Sequence, residues 1–156
     1  MNGESTGESV RLPRAVLEAI YQQARVGYPE EVCGFIVGRG DAAVARQCVN
    51  RQNELHAQDP ETFSRDAKTA YNLGPADLLF LDKSLSTDEP VTIIYHSHCN
   101  VGAYFSEEDK RAATPFDEPL YPVDYLVIDA QADGIQGAKL FRWVDSDFLE
   151  VAVFAF

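Results

Sequence analysis

Apolar side chains first fall into a pattern at Val10: Val10, Leu12, Val16, Leu17, Ile20 and Ala24 recur at the step of one helical face, and Pro13 suits a first turn. The spacing predicts a helix near 13–26, ended by Gly27 and Pro29. Val32 to Val37 (VCGFIV) is then a short apolar run closed by Gly38 and Gly40, which reads as a buried strand. A second strand at about 43–49 is expected to pair with it across the Gly-Arg-Gly-Asp turn. From Asn50 to Asn72 the chain is polar and without period, so a long loop is expected, with one strand around 70–73. Pro75 opens a second helix with Leu78, Leu79, Leu81 and Leu85 on its apolar side, read as core rather than as a binding groove. The β-branched run Val91–Tyr95 then leads straight into His96-Ser97-His98. A third helix starts at Ser106, whose hydroxyl suits an N-cap, with Glu107, Glu108 and Asp109 in a first turn where the helix dipole favours acids. After a proline-marked loop, Pro115 to Pro122, strands are expected at 124–129, 137–144 and 148–155. The mixed order of strands and helices predicts an α/β or α+β fold, one domain over residues 10–156 behind a disordered lead, 1–9.

Composition narrows the classes. A chain of 156 residues, 46% apolar and 24% charged, is sized for one core and too apolar for disorder. The formal charge of −12 opposes binding to nucleic acid or to an anionic membrane surface. That charge is uneven: residues 1–78 carry 8 basic and 11 acidic side chains, net −3, and residues 79–156 carry 5 and 14, net −9. Either a field for a basic partner or a solubility coat accounts for it, and the small share of lysine, 4 of 13 basic residues, leans towards the coat. Three cysteines with no close pairing argue against a disulfide framework and fit a reducing cytoplasm. The polar, acidic N-terminus lacks a signal-peptide pattern, and no apolar run reaches the ~18 residues of a membrane span.

Chemistry gathers around two of the three histidines. His96 and His98 stand two apart on a strand, which turns both imidazoles to one face. Ser106 and Asp109, three apart, share a face of the following helix. Two nitrogens and one carboxylate suit Zn²⁺, and three protein ligands leave a fourth position for water, the mark of a catalytic site. A nearby carboxylate would serve as base; Glu30 and Glu31 are both candidates on chemistry alone, since neighbours on an extended chain face opposite ways. Ser106 is also readable as a plain N-cap, Asp109 as an ordinary first-turn acid, and His56 as a solvated loop residue.

The pattern H-x-H-x₇-S-x₂-D, preceded by Glu31-Val32-Cys33-Gly34, resembles the JAMM, or MPN-plus, zinc metalloproteases, with similarity running from about Tyr28 to Trp143. The resemblance implies a curved mixed sheet flanked by helices, of cytidine-deaminase-like architecture. It implies that His96, His98 and Asp109 hold zinc, that Glu31 is the general base and that Ser106 donates to the oxyanion. Two positions depart from the family pattern, where proline is common: Cys99 follows the second histidine and Phe105 precedes the serine. The short stretch between His98 and Ser106 resembles the prokaryotic stand-alone members. These cleave a C-terminal extension or lysine conjugate from ubiquitin-like or sulfur-carrier proteins that end in Gly-Gly. A metal-free MPN scaffold and a zinc hydrolase of small amides are the alternatives. Specificity is expected in the 50–72 and 113–123 loops, and acidic Asp117 and Glu118 are placed where they could meet a basic partner.

Overall fold

Among the described residues, six strands form a single mixed sheet in the order β2-β1-β3-β4-β5-β6. A computed structural model describes residues 10–156, so the expected disordered lead lies outside the described residues. Helix α1 (Arg14–Gly27) is followed by β1 (Cys33–Val37), β2 (Val44–Cys48), α2 (Gln52–Gln58), α3 (Pro75–Ser84) and β3 (Val91–Cys99). Then come α4 (Glu107–Ala113), β4 (Asp124–Gln131), β5 (Gly134–Val144) and β6 (Asp147–Ala155). Strands β1 and β2 pair antiparallel from Val37↔Val44 to Cys33↔Cys48, the hairpin the glycines forecast, with a 3₁₀ turn at Gly40–Ala42 between them. Only β3 and β4 run parallel, and parallel neighbours need a crossover, which α4 and the proline-marked loop supply.

Both sheet faces are covered. Ile93 and Tyr95 of β3 join Val16, Leu17, Ile20 and Ala24 of α1 in one core, and Ile94 joins Leu81 of α3 and Ala113 of α4 in the other. A strand buried on both sides reads as a continuous apolar run, hence V-T-I-I-Y. Alternation carries His96 and His98 onto the Ile94 face, so the chemistry lies on the side of α3 and α4. Gly34 of the E-V-C-G stretch is required by close approach: a Cβ there would collide with the Tyr95 hydroxyl and sit 2.6 Å from the Arg46 carbonyl oxygen.

Four expectations need correction. The polar segment after Asn50 contains helix α2, and no strand forms at 70–73. This helix has no apolar stripe to betray it; its one buried residue is Gln52. His56 is not a freely solvated loop residue: it is half-buried on α2, with Nδ1 2.7 Å from the Phe63 carbonyl oxygen. On α3, Leu81 is fully buried but Leu79 is 55% exposed and Leu78 38%, so that helix presents a narrower apolar face than its leucines imply.

Candidate metal centre

The end of β3 delivers His96 and His98, and the first turn of α4 delivers Asp109. One donor atom from each lies within 4.8 Å of the others, the group among the described residues arranged to hold a metal ion. His96 Nε2 is 3.2 Å from Asp109 Oδ1, and His98 Nε2 is 3.2 Å from Asp109 Oδ2. Asp109 is fixed by its own helix end: its backbone N–H donates to Ser106 Oγ and the Ser106 N–H donates to Asp109 Oδ2, each 3.0 Å, a reciprocal capping box. Ser106 Oγ accepts in that box, so its own proton is left to donate. The cap and a catalytic hydrogen bond therefore do not compete for the hydroxyl.

Cation chemistry follows from the protons. His98 Nδ1 is 3.0 Å from the Gly102 carbonyl oxygen, which only accepts, so Nδ1 carries the hydrogen. With the ring neutral, Nε2 then presents its lone pair to the Asp109 carboxylate, and a cation held between them would relieve the repulsion. This orientation of a ligating histidine by a backbone carbonyl recurs at metal sites. His96 is fully buried, and neither of its ring nitrogens has a hydrogen-bond partner although Nε2 lies close to Asp109. Leaving such a group unpaired costs about 1–3 kcal/mol, which coordination would offset. The donor set, two imidazole nitrogens and a carboxylate, fits Zn²⁺ with one position open.

Around this group runs a cleft of about 680 Å³, walled on one side by residues 62–73 and on the other by the segment from Val101 to Tyr121. Glu31 lines it, only 7% exposed, while Glu30 points outward and accepts from Asn53 Nδ2 at 3.0 Å. The two acids that chemistry alone left equivalent are thus separated by burial. Burial pushes the Glu31 pKa up to about 8, with the Asp109 charge adding to the rise and the Arg65 charge opposing it. Asp109 goes the other way: burial would raise it, but the His96 and His98 imidazoles set against its two oxygens and the hydrogen bond from the Ser106 N–H hold it well below the usual carboxylate range.

Several neighbours had no signal in the sequence. The Tyr71 ring stacks on His96, with centroids 4.5 Å apart, and Tyr104 meets His98 edge-on at 4.9 Å. The Asn50 side chain donates to the Glu31 and Ala70 carbonyl oxygens, at 2.9 and 3.1 Å. Its own oxygen accepts from the Gln52 and Asn72 N–H groups, at 3.0 and 3.1 Å. That single side chain ties the Glu31 backbone to the far wall of the cleft. Of the two departures, Phe105 is buried against Tyr125, Phe141 and Phe148 and anchors the turn before Ser106. Cys99 lines the cleft as a thiol, its pKa raised to about 11 by burial and then by the Glu31 and Glu30 charges, so it offers no thiolate at neutral pH.

A mixed sheet with a His-His-Asp group at the end of its parallel strand defines a JAB-type domain. The chain belongs to the Prok-JAB family, the prokaryotic homologues of the JAB domain, whose pattern it matches over residues 13–136. It is 26% identical over 139 residues to the CysO-cysteine peptidases of Mycobacterium tuberculosis and Mycobacterium bovis, covering 88% of this chain and 85% of theirs. The solution structure of a Desulfitobacterium hafniense protein is similar at a TM-score of 0.57 and 20% identity, over 88% of this chain and 86% of that one. One from Salinibacter ruber is similar at 0.56 and 18%, over 94% and 91%. These two likenesses show the fold. Among the described residues no helix is long and apolar enough to cross a membrane.

Proposed function

We propose that this protein is a zinc-dependent peptidase that hydrolyses the bond following the C-terminus of a ubiquitin-like or sulfur-carrier protein, releasing a C-terminal extension or conjugate. The observation that carries the reading is the buried His96–His98–Asp109 group, with its unpartnered imidazole nitrogens, opening on a cleft that also holds Glu31 and Ser106. The family and the peptidase name borne by its mycobacterial relatives support the choice of reaction and of carrier.

His96, His98 and Asp109 would hold the ion. Bound zinc supplies Lewis acidity and brings a water's pKa towards about 7. Glu31, in its buried place on the cleft wall, takes the water's proton and returns it to the leaving amine nitrogen. The Ser106 hydroxyl donates to the carbonyl oxygen as negative charge builds there, while its oxygen keeps its bond from the Asp109 N–H. A Gly-Gly tail, having no side chains, would let the substrate backbone approach Glu31 and Ser106 in this cleft.

The test combines metal content with cleavage. Wild-type protein is expected to hold one zinc per chain and to cut a Gly-Gly-ending carrier extended at its C-terminus. Glu31→Gln is expected to keep zinc and lose activity by about 10²–10⁴-fold, and His96→Ala to lose both. Stoichiometric zinc with no cleavage of any protein conjugate would move the assignment to small amides, and absence of zinc binding would leave a scaffold.

A further inference from the structure

We infer that Tyr71 is the positioning residue for His96: its ring, carried on the 62–73 wall of the cleft, holds that imidazole in the plane metal coordination needs, so the wall and the metal centre are coupled. The inference rests on the zinc reading above and adds to it a residue outside the ligand set.

The two histidines are held by different means. His98 has an acceptor behind it, the Gly102 carbonyl oxygen 3.0 Å from Nδ1. His96 has none: it is fully buried, and Nδ1 and Nε2 both lack a hydrogen-bond partner among the described residues. Sheet register accounts for this. The cross-strand neighbours of His96 are Cys33 on β1 and Val127 on β4, which share its face, are fully buried and carry no side-chain oxygen or nitrogen. A ligating histidine is usually oriented by a hydrogen bond from its second nitrogen. Here a ring face takes that part: Tyr71 stacks on the imidazole with centroids 4.5 Å apart and planes 23° from parallel. The His98 ring meets His96 at 5.0 Å and 63°, an edge contact that leaves the plane to Tyr71. An imidazole that shares a bound ion's positive charge is also attracted to the electron-rich face of a phenol, so the stack favours the loaded site.

Tyr71 can hold the ring because the chain is pinned on both sides of it. The Ala70 carbonyl oxygen accepts from Asn50 Nδ2 and the Asn72 N–H donates to Asn50 Oδ1, each at 3.1 Å. The Arg51 N–H donates to the Asn72 carbonyl oxygen at 2.9 Å, and Asn72 Nδ2 donates to Gln52 Oε1 at 2.8 Å. Asn50 Nδ2 also donates to the Glu31 carbonyl oxygen at 2.9 Å. One asparagine therefore sets both the backbone of the proposed base and the segment whose ring orients a proposed ligand.

The experiment measures the zinc affinity of the full chain by competition with a chromophoric chelator, with the melting temperature of the metal-free protein as a check on folding. Tyr71→Phe keeps the ring face and is expected to bind zinc as the wild type does. Tyr71→Leu keeps apolar bulk without the face and is expected to bind about 10–100-fold more weakly. Asn50→Ala is expected to weaken zinc binding about 3–10-fold in the wild-type background and no further in Tyr71→Leu, because its effect passes through the ring. Imidazole ¹⁵N spectra of the metal-free protein supply a readout that lost packing alone does not produce. The His96 ring resonances are expected to shift in Tyr71→Leu and in Asn50→Ala, while those of His98, held by Gly102, stay in place. Asn50→Ala leaves Tyr71 intact, so this arm stands even where Tyr71→Leu does not fold. Wild-type affinity in Tyr71→Leu, equal losses in Tyr71→Phe and Tyr71→Leu, or His96 resonances that do not move would overturn the inference while leaving the zinc site standing. A wild-type chain that binds no zinc would overturn both.

Discussion

Ser106 shows how one side chain serves fold and chemistry through different atoms. Its oxygen caps α4 and its proton is free, so the two contributions separate experimentally. Ser106→Ala removes both; it is expected to cost about 1 kcal/mol of stability and about 10²-fold in kcat. Ser106→Gly should lose the same activity with only a few tenths of a kcal/mol in stability, since glycine is a tolerable cap. Equal melting temperatures for the two variants would refute the capping contribution. Glu31 yields a second prediction at this scale. Its pKa stands near 8 in the folded metal-free protein against an ordinary 4.5, so between those values the folded chain binds a proton that the unfolded chain has released. The contribution of Glu31 to the stability of the metal-free protein is therefore full below pH 4.5 and is lost as pH rises towards 8, by up to ~1.4 kcal/mol per unit. Urea titrations at several pH values should show this slope in wild type and a flatter one in Glu31→Gln. A bound divalent cation favours the charged carboxylate and weakens the effect. His96, His98, Ser106 and Asp109 were legible because strand and helix periods act on their spacing directly. Tyr71 and the Gly102 carbonyl were not, because a stacking ring 25 positions away and a backbone oxygen leave no trace in residue identity.

Among the elements, those with an apolar period lie near their expected places: α1 and the strands β1, β4 and β6 begin and end within about two residues of their expected bounds, β3 runs four residues beyond Tyr95 to Cys99, and β5 starts three residues earlier, at Gly134. The segment from Asn50 to Asn72 was the failure, and its cause is physical. It is held by amide side chains rather than by buried hydrocarbon: Gln52 Oε1 accepts from Asn72 Nδ2 at 2.8 Å, and Asn50 bridges Glu31, Ala70, Gln52 and Asn72. Polar residues in that density look like solvent-facing loop until the partners are known. Asn50→Ala would strand two carbonyl oxygens and two N–H groups in a half-buried setting. It is expected to destabilise the protein by about 1–3 kcal/mol and to loosen the 62–73 wall ahead of global unfolding. Hydrogen exchange checks this: faster exchange at Gln52, Asn72 and the 62–73 amides with unchanged protection in β3 and β4 supports the clamp, and uniform loss of protection opposes it.

For the whole molecule the charge imbalance is the remaining handle on partners. The −9 half contains α4, where Glu108 and Asp109 are bound up in pairs at the site, so part of that charge is structural. Asp117 and Glu118 differ: both are exposed on the loop that leads into the cleft at Leu120 and Tyr121, and they stand beside Phe116, 83% exposed, and Leu120, 51% exposed. Exposed apolar side chains next to acids suit contact with a carrier protein whose tail is flanked by basic residues, whereas a solubility coat has no reason to expose Phe116 and Leu120 together. Replacing Asp117 and Glu118 together by lysine is therefore expected to raise KM for a protein carrier by about 3–10-fold at low salt, with kcat unchanged and the difference shrinking as salt shortens the screening length. A short Gly-Gly-Xaa peptide, which cannot reach the loop, should show no change. If carrier and peptide respond alike, or if carrier KM does not move at low salt, the acidic half is a coat and recognition rests on the cleft alone.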